Sequence, residues 1–224
     1  MSNYENGIQT RERIIKVCKE LFYDKGYERT TYDNICKKGG INRGLIPYHF
    51  KGKSAIASVI YLRFMSDNKK IVYNAMKANF KGYDLQIGTA VELRNQLNTI
   101  FDDEKLARFY YQLCKETIVL NDNSSVLADF NRAHVKEYHL PFTENDIRLM
   151  TASMTGMSLS TTIKYVEGNL DIPLKELIDY RIRFFYRLMK IKEGRIEEIV
   201  KQSQDIYSKL NIGCKNYFKF FERE

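Results

Sequence analysis

The sequence has 224 residues, of which 44% are hydrophobic and 29% charged, a composition typical of globular proteins with one large domain or two smaller ones. It contains 3 Pro and 12 Gly, against about 11 and 16 expected from average usage. So few helix breakers favour long helices and argue against all-β and disordered classes. Residues 149–163 are too short and too polar to span a bilayer, and no signal segment precedes them. We therefore expect no membrane contact and a cytoplasmic location.

The positive charge is concentrated near the N-terminus. The chain has 36 Lys and Arg against 28 Asp and Glu, a net charge of +8. Residues 1–64 contain 12 basic and 6 acidic residues, giving +6, and the remaining 160 residues contain 24 and 22, giving +2. A local basic excess is typical of proteins that bind nucleic acids, although most charged surfaces are simply solvated.

No pattern of catalytic or metal-binding residues is visible. His134 and His139 are five residues apart, which does not place two imidazoles on one face of a helix. No glycine-rich phosphate loop or nucleophile set occurs. We therefore predict no metal, no cofactor and no enzymatic activity. The cysteines are widely spaced and fit a reducing compartment; they are Cys18, Cys36, Cys114 and Cys214.

The first two helices are predicted from their apolar spacing and their ends. The first covers residues 10–25 and ends at Gly26. The second begins after Thr30 or Thr31, either of which can cap it, and ends at the pair Gly39-Gly40, because glycine readily adopts the positive φ of a tight turn.

A third, short helix is predicted after the N-cap Asn42 and runs from Arg43 to Phe50. Gly52 then breaks the chain, and Ser54 caps a long fourth helix that ends near residue 80. Three short helices with a glycine turn before the third are the outline of a helix-turn-helix domain.

The run from residue 25 to residue 56 resembles the DNA-binding signature of the tetracycline-repressor (TetR) family of bacterial transcriptional regulators. The similarity combines helix caps, turn glycines, core residues and basic residues in one register. The matching residues are Lys25-Gly26-Tyr27, Thr30-Thr31, Ile35, Gly40-Ile41-Asn42, Arg43-Gly44, Tyr48-His49-Phe50, Lys51 and Lys53.

The resemblance implies which residues contact DNA. Arg43 is expected to read a base, and His49 and Lys53 to contact phosphates. Cys36 takes a position that the family fills with a small apolar residue, so we expect core packing there. The predicted DNA-binding residues are Thr31, Tyr32, Asn42, Arg43, Gly44, Leu45, Tyr48, His49, Lys51 and Lys53.

Pro47 departs from the family pattern, which usually has an aromatic residue there. In a helix beginning at Arg43, Pro47 is the fifth residue, where a proline costs about 3 kcal/mol through a lost hydrogen bond and a steric clash. We therefore expect a distorted recognition helix.

The rest of the chain keeps a helical periodicity with short polar breaks. Breaks are expected at residues 81–84, 102–103, 121–123, 140–142 and 168–169. The predicted helices cover residues 85–100, 103–120, 124–139, 144–167, 173–193 and 195–211.

Two of these helices are expected to form a homodimer. Helix 144–167 is rich in Gly, Ala, Ser and Thr, which let helix backbones approach closely, and helix 173–193 carries an apolar stripe. The resemblance implies that this pair forms a four-helix dimer interface. An effector cavity is expected nearby, although a methionine stripe is more often part of the core than of a pocket. Its predicted lining residues are Phe109, Tyr110, Leu113, Met150, Met154, Met157 and Thr161.

These observations predict an all-α protein. Residues 1–53 would form a helix-turn-helix DNA-binding domain, and residues 54–224 a helical ligand-binding and dimerisation domain. The resemblance implies a repressor that binds a palindromic double-stranded DNA operator as a homodimer and responds to an unknown small-molecule effector. The alternatives are a DNA-binding protein without an effector and, more remotely, a helical enzyme with a basic arm.

Overall fold

The computed structural model describes residues 3–80 and 84–222. The N-terminal part contains four helices, and the last of them is long enough to continue into the rest of the molecule. These helices are α1 (Asn3–Lys25), α2 (Tyr32–Gly39), α3 (Leu45–His49) and α4 (Lys53–Asn79).

The C-terminal part adds six helices and a β-hairpin within the described residues. Helix α5 packs between α4 and α10, and α7 packs against α4 and α8. The elements are α5 (Leu85–Phe101), α6 (Glu104–Lys115), α7 (Ile118–Glu137), α8 (Glu144–Val166), α9 (Leu174–Leu188), α10 (Glu193–Tyr207), β1 (Ile212–Lys215) and β2 (Lys219–Glu222).

The prediction of an all-α fold with an N-terminal helix-turn-helix is confirmed, with one addition. Strands β1 and β2 pair antiparallel, with Ile212 opposite Glu222 and Lys215 opposite Lys219. The sequence analysis assigned no structure to this segment. In the described residues no helix has an apolar run long enough to cross a bilayer.

The starts of α1 and α4 differ from the prediction. Helix α1 begins at Asn3 and not at residue 10: the Thr10 hydroxyl donates to the Asn6 carbonyl at 2.8 Å, as in a helix interior. Helix α4 begins at Lys53, after Gly52.

The breaks in the C-terminal part also differ from the prediction. The expected break at 121–123 lies inside α7, and the chain instead turns at Thr117, whose φ is +53°. Helix α9 ends at Leu188, and Lys190 then has a φ of +56°. The predicted break at residues 81–83 lies outside the described residues.

Candidate nucleic-acid interface

The start of α2 is fixed by a capping box. The Thr31 hydroxyl accepts a hydrogen bond from the Asn34 N–H, and the Asn34 side chain accepts one from the Thr31 N–H, both at 3.2 Å. The next residue links this helix to α4, because the Tyr32 hydroxyl accepts a hydrogen bond from the Lys53 N–H at 3.1 Å. The first turns of α2 and α4 therefore lie side by side.

The turn after α2 needs both of its glycines. Gly40 adopts a left-handed conformation, with φ of +57°. At Gly39 an added Cβ would lie 2.4 Å from a side-chain carbon of Ile41, closer than packing allows. Ile41 and Ile46 are buried and attach the following helix to the domain core.

Pro47 lies in the first turn of α3, which is shorter than predicted and follows two i→i+3 hydrogen bonds, from Leu45 N–H to Asn42 and from Ile46 N–H to Arg43. The Asn42 side-chain oxygen accepts a hydrogen bond from the Gly44 N–H at 3.0 Å, and α3 begins at Leu45. Pro47 is thus the third helical residue, where a backbone N–H has no acceptor within the helix and proline costs little.

Helix α3 presents an exposed surface. Asn42, Arg43, Gly44, Pro47 and Tyr48 are all exposed, and Tyr48 is exposed over 79% of its surface. Such an aromatic residue contributes nothing to the core, so its position favours contact with a partner.

Some predicted contact residues have partners within the domain. Arg43 Nη1 forms an exposed ion pair with Asp33 Oδ1 at 2.7 Å. Exposed pairs contribute about 0–1 kcal/mol, so Arg43 can exchange this partner for a base at little cost. Leu45 and His49 are partly buried, and the His49 ring contacts Tyr48 edge-on.

Lys53 lies where it supports the domain, which differs from the expected phosphate contact. Its Nζ donates to the carbonyls of Tyr27 and Thr30 at 2.8 and 3.0 Å, and lies 4.2 Å from the centre of the Tyr27 ring. Burial lowers the pKa of Lys53. A phosphate contact through Nζ requires breaking these bonds, whereas Lys51 is exposed.

Helix α6 joins the N-terminal helices to the rest of the molecule. Arg108 Nη2 donates to the Tyr23 carbonyl at 2.8 Å, and the Gln112 side chain accepts a hydrogen bond from the Tyr27 N–H, also at 2.8 Å. Between them lies Gly26, with φ of +89°, where an added Cβ would lie 3.1 Å from both side chains. A cation beside the last carbonyls of α1 also complements the helix dipole.

The β-hairpin completes this joint. Phe218, at its turn, is 2% exposed and contacts the rings of Tyr23 on α1, Phe64 on α4 and Phe109 on α6, with centroids 5.1 to 6.1 Å apart. One side chain therefore touches three helices from both parts of the molecule.

A cavity of about 420 Å³ lies between α4, α5 and α7. We call it the large cavity. Helix α4 begins shortly after the exposed surface of α3, and its middle, including Met65 and Asn68, lines this cavity. The other lining side chains include the apolar Leu62, Leu85, Leu127 and Phe130 and the charged Lys69, Glu92 and Asp129.

The structure does not gather the seven predicted effector-binding residues around the large cavity. Phe109 packs between Phe22 and Phe218. Tyr110 instead lines a neighbouring cavity of about 80 Å³, which we call the small cavity.

The other five predicted residues lie on α6 and α8. Leu113, Met150 and Met154 are buried in the interior, and Met157 is partly buried. The Thr161 hydroxyl accepts hydrogen bonds from Arg181.

The predicted dimer helices expose a surface of small and apolar residues. On α8, Leu149, Ala152 and Gly156 are exposed, and on α9 Tyr180 is exposed and stacks on Phe184. An added Cβ at Gly156 meets no atom within 4 Å.

The sequence analysis overlooked Arg108, Gln112 and Arg181. For Arg181 a signal existed, because it falls on the apolar face of α9 defined by Leu177, Ile178 and Ile182. A charged residue on a buried face is unusual. For Arg108 and Gln112, on a helix with many polar residues, no such signal existed.

Comparison with known proteins confirms the family resemblance. Residues 14–64 match the family described as bacterial regulatory proteins, tetR family. The chain is 25% identical over 209 residues to the biofilm operon icaADBC HTH-type negative transcriptional regulator IcaR of Staphylococcus aureus, covering 92% of this chain and 99% of IcaR. It is 23% identical over 222 residues to the uncharacterized HTH-type transcriptional regulator YerO of Bacillus subtilis, and the match covers 92% of this chain and 73% of YerO.

Solved structures show the same fold. RolR in complex with resorcinol has a TM-score of 0.64 at 15% identity, covering 88% of this chain and 96% of RolR. Thermus thermophilus FadR, a TetR-family repressor in complex with lauroyl-CoA, has a TM-score of 0.61 at 15% identity, covering 82% and 96%.

Proposed function

We propose that this protein is a dimeric repressor that binds a near-palindromic operator, because residues 14–64 match the tetR family of bacterial regulatory proteins. A small molecule controls its affinity for the operator. The observation that carries the proposal is the course of α4. This helix starts beside the exposed recognition surface, and its middle lines the large cavity.

DNA contact is assigned to α3 and to the first turns of α2 and α4. The α3 surface enters the major groove, where Arg43 reads a base and Leu45 and Tyr48 add apolar contacts. Contacts with the sugar-phosphate backbone of the DNA position the domain. They are assigned to Thr31, Tyr32, Asn42, Gly44, His49 and Lys51. Lys53 supports this surface from within the domain, because its ammonium group is bound to carbonyls.

Effector control follows from the connection between α4 and the large cavity. A volume of about 420 Å³ falls within the range of small-molecule sites. A ligand that prefers one position of α4 changes the separation of the two recognition helices, and a tenfold loss of operator affinity needs about 1.4 kcal/mol of such preference. RolR and FadR, which share the fold, have been solved with resorcinol and lauroyl-CoA.

Dimerisation is assigned to α8 and α9. The exposed Leu149, Gly156 and Tyr180 give this face small and apolar side chains suited to a second copy. Residues 1–53 are assigned to the DNA-binding domain and residues 54–224 to the effector and dimer domain. Helix α4 starts at the boundary between these domains and runs through the second one.

The test is selection of duplexes from random DNA by the purified protein, followed by a compound screen against the selected complex. A repressor of this kind selects two half-sites related by a two-fold axis, and at least one compound releases it. Selection without release by any compound favours the alternative of a constitutive DNA-binding protein. Failure to select any sequence refutes the proposal.

A further inference from the structure

Two arginines are buried in the C-terminal helices, and their surroundings differ. Arg94 on α5 and Arg181 on α9 are each 1% exposed. Arg94 donates to Asp179 Oδ1 at 2.5 Å, so its charge is paired with a carboxylate. Buried charges are normally paired in this way, because removal from water is costly. Arg181 is the exception.

The guanidinium of Arg181 contacts neutral acceptors. Its Nε and Nη2 donate to the Thr161 hydroxyl at 3.1 and 2.8 Å, and Nη2 also donates to the Thr162 hydroxyl at 2.8 Å and the Ser158 carbonyl at 3.0 Å. Among residues 3–80 and 84–222, as far as their side chains are described, no carboxylate pairs with Arg181 and no acceptor meets its Nη1. Within the described side chains, a positive charge is therefore buried there without an anion.

The neighbouring side chains do not supply that anion by ionising. Burial raises the pKa of both Tyr61 and Tyr110 above the ordinary value of a phenol. Burial also raises the pKa of the Cys114 thiol to about 12, even though Arg181 opposes this shift. All three groups stay neutral at physiological pH, so the charge of Arg181 remains unbalanced by them.

Arg181 lines the small cavity, which adjoins the large one. The two cavities share Met65, Gln96 and Leu127 as lining residues. The small cavity has a volume of about 80 Å³. Since a cavity needs about 10–15 Å³ to hold one water molecule, this cavity has room for a small polar group such as a carboxylate.

Polar side chains lie between the shared wall and the guanidinium. The Gln96 amide donates to the Tyr61 hydroxyl at 2.9 Å. Tyr61, Tyr110 and Arg181 all line the small cavity, and the Thr162 hydroxyl accepts from Arg181. A ligand group that enters at Gln96 thus meets polar side chains on the way to Arg181.

We propose that the effector is an organic anion whose carboxylate binds Arg181 in the small cavity and whose apolar body fills the large cavity. This inference rests on the proposed function, because it gives the chemistry of the ligand for the effector site. An anion supplies the missing counter-charge, a neutral ligand leaves Arg181 unpaired, and a cation is repelled.

The first test compares matched acids and alcohols on the full chain without DNA. Octanoate is compared with octanol, and phenylbutyrate with phenylbutanol, by calorimetry or by displacement of a fluorescent probe. At least one acid is expected to bind on the order of tenfold more tightly than its alcohol, a difference of about 1.4 kcal/mol. Equal binding of acid and alcohol in both pairs, or no binding of either acid, overturns the proposal. This comparison needs no variant.

The second test locates the charge that binds the acid. Arg181→Gln keeps hydrogen-bonding capacity and removes the charge, so the preference for the acid is expected to disappear. Lys201→Gln is the control, because Lys201 is an exposed cation on α10 that lines neither cavity. The preference should survive in Lys201→Gln, and circular dichroism verifies that both variants fold. If Arg181→Gln keeps the preference for the acid, the proposal is wrong.

Failure of this inference is distinguishable from failure of the proposed function. A protein that binds selected DNA and is released by a neutral compound, with no preference for acids, keeps the function and loses the inference. A protein that binds acids through Arg181 and selects no DNA has the proposed anion site and lacks the proposed function.

Discussion

Replacing Lys53 by alanine is expected to weaken folding and to leave the salt dependence of DNA binding unchanged. Lys53 Nζ donates to two carbonyls at 2.8 and 3.0 Å, those of Tyr27 and Thr30, and lies over the Tyr27 ring. These bonds hold the segment between α1 and α2 against the start of α4. They leave the ammonium no free position toward a phosphate.

The size of the effect follows from these contacts. A hydrogen bond to a charged group contributes about 1.5–3 kcal/mol. The two hydrogen bonds contribute less than their summed free energy, because burial penalises the charged ammonium and lowers the pKa of Lys53. The side chain is also partly exposed, so water weakens both bonds. We expect the free energy of unfolding to fall by about 2–3 kcal/mol in total, which for a chain of this length lowers Tm by roughly 4–12 °C.

The matched control is Lys51→Ala, which removes an exposed lysine two residues away. Tm and the salt dependence of affinity for unspecific duplex DNA are measured for both variants. Lys51→Ala should keep its Tm and make the slope of log affinity against log salt shallower by about one unit. Lys53→Ala should lower the Tm and leave the slope unchanged. An unchanged Tm with a shallower slope in Lys53→Ala would refute the reasoning, because the ammonium would then contact phosphate.

Three further predictions concern base reading, assembly and the interdomain joint. Arg43→Ala should lose about 1–3 kcal/mol of discrimination at one base position in each half-site, measured by selection from random DNA. Gly156→Leu should weaken the dimer by about 1–3 kcal/mol in sedimentation, since a large side chain separates two closely packed helices. Phe218→Ala should cost about 3–5 kcal/mol of unfolding free energy in denaturant titration, because a ring buried among three others is removed.

Each of these predictions has an outcome that contradicts it. If Arg43→Ala lowers the affinity equally for all DNA sequences, Arg43 contacts a phosphate and does not read a base. For assembly, Gly194→Leu on α10 is the control, since an added Cβ there also meets no atom; equally tight dimers in both variants would place Gly156 outside the interface. A cost below about 1 kcal/mol for Phe218→Ala, the level of a surface substitution, would mean that the hairpin is not part of the folded core.

The helix-turn-helix was predictable because its signals are local. The cap at Thr31 and the left-handed Gly40 each determine their own few residues, and the structure places them as the sequence indicates. The consequence of Pro47 was misjudged by two residues of register, because the same proline is harmless in a first turn and costly beyond it.

The C-terminal features were not predictable by the same means. The hairpin turn places Tyr217 and Phe218 at φ of +63° and +61°, where a sequence reader expects Asn or Gly. Thr117 is a β-branched residue in the same unusual conformation, and it ends a helix without any local sign. In each case distant packing overrides local preference, so the set of residues around the large cavity, which depends on that packing, was not predictable from the sequence.

The hairpin sets an order of events during synthesis. Tyr23 is hydrogen-bonded to Asn216, 193 residues later in the chain. Domains fold as they emerge, N-terminal parts first, so the DNA-binding helices can fold while their final support is still unmade. The contacts of Phe218 with α1 and α6 form only after Phe218 has left the ribosome. A nascent chain can thus contain the folded N-terminal helices before the hairpin completes their joint with the rest of the molecule.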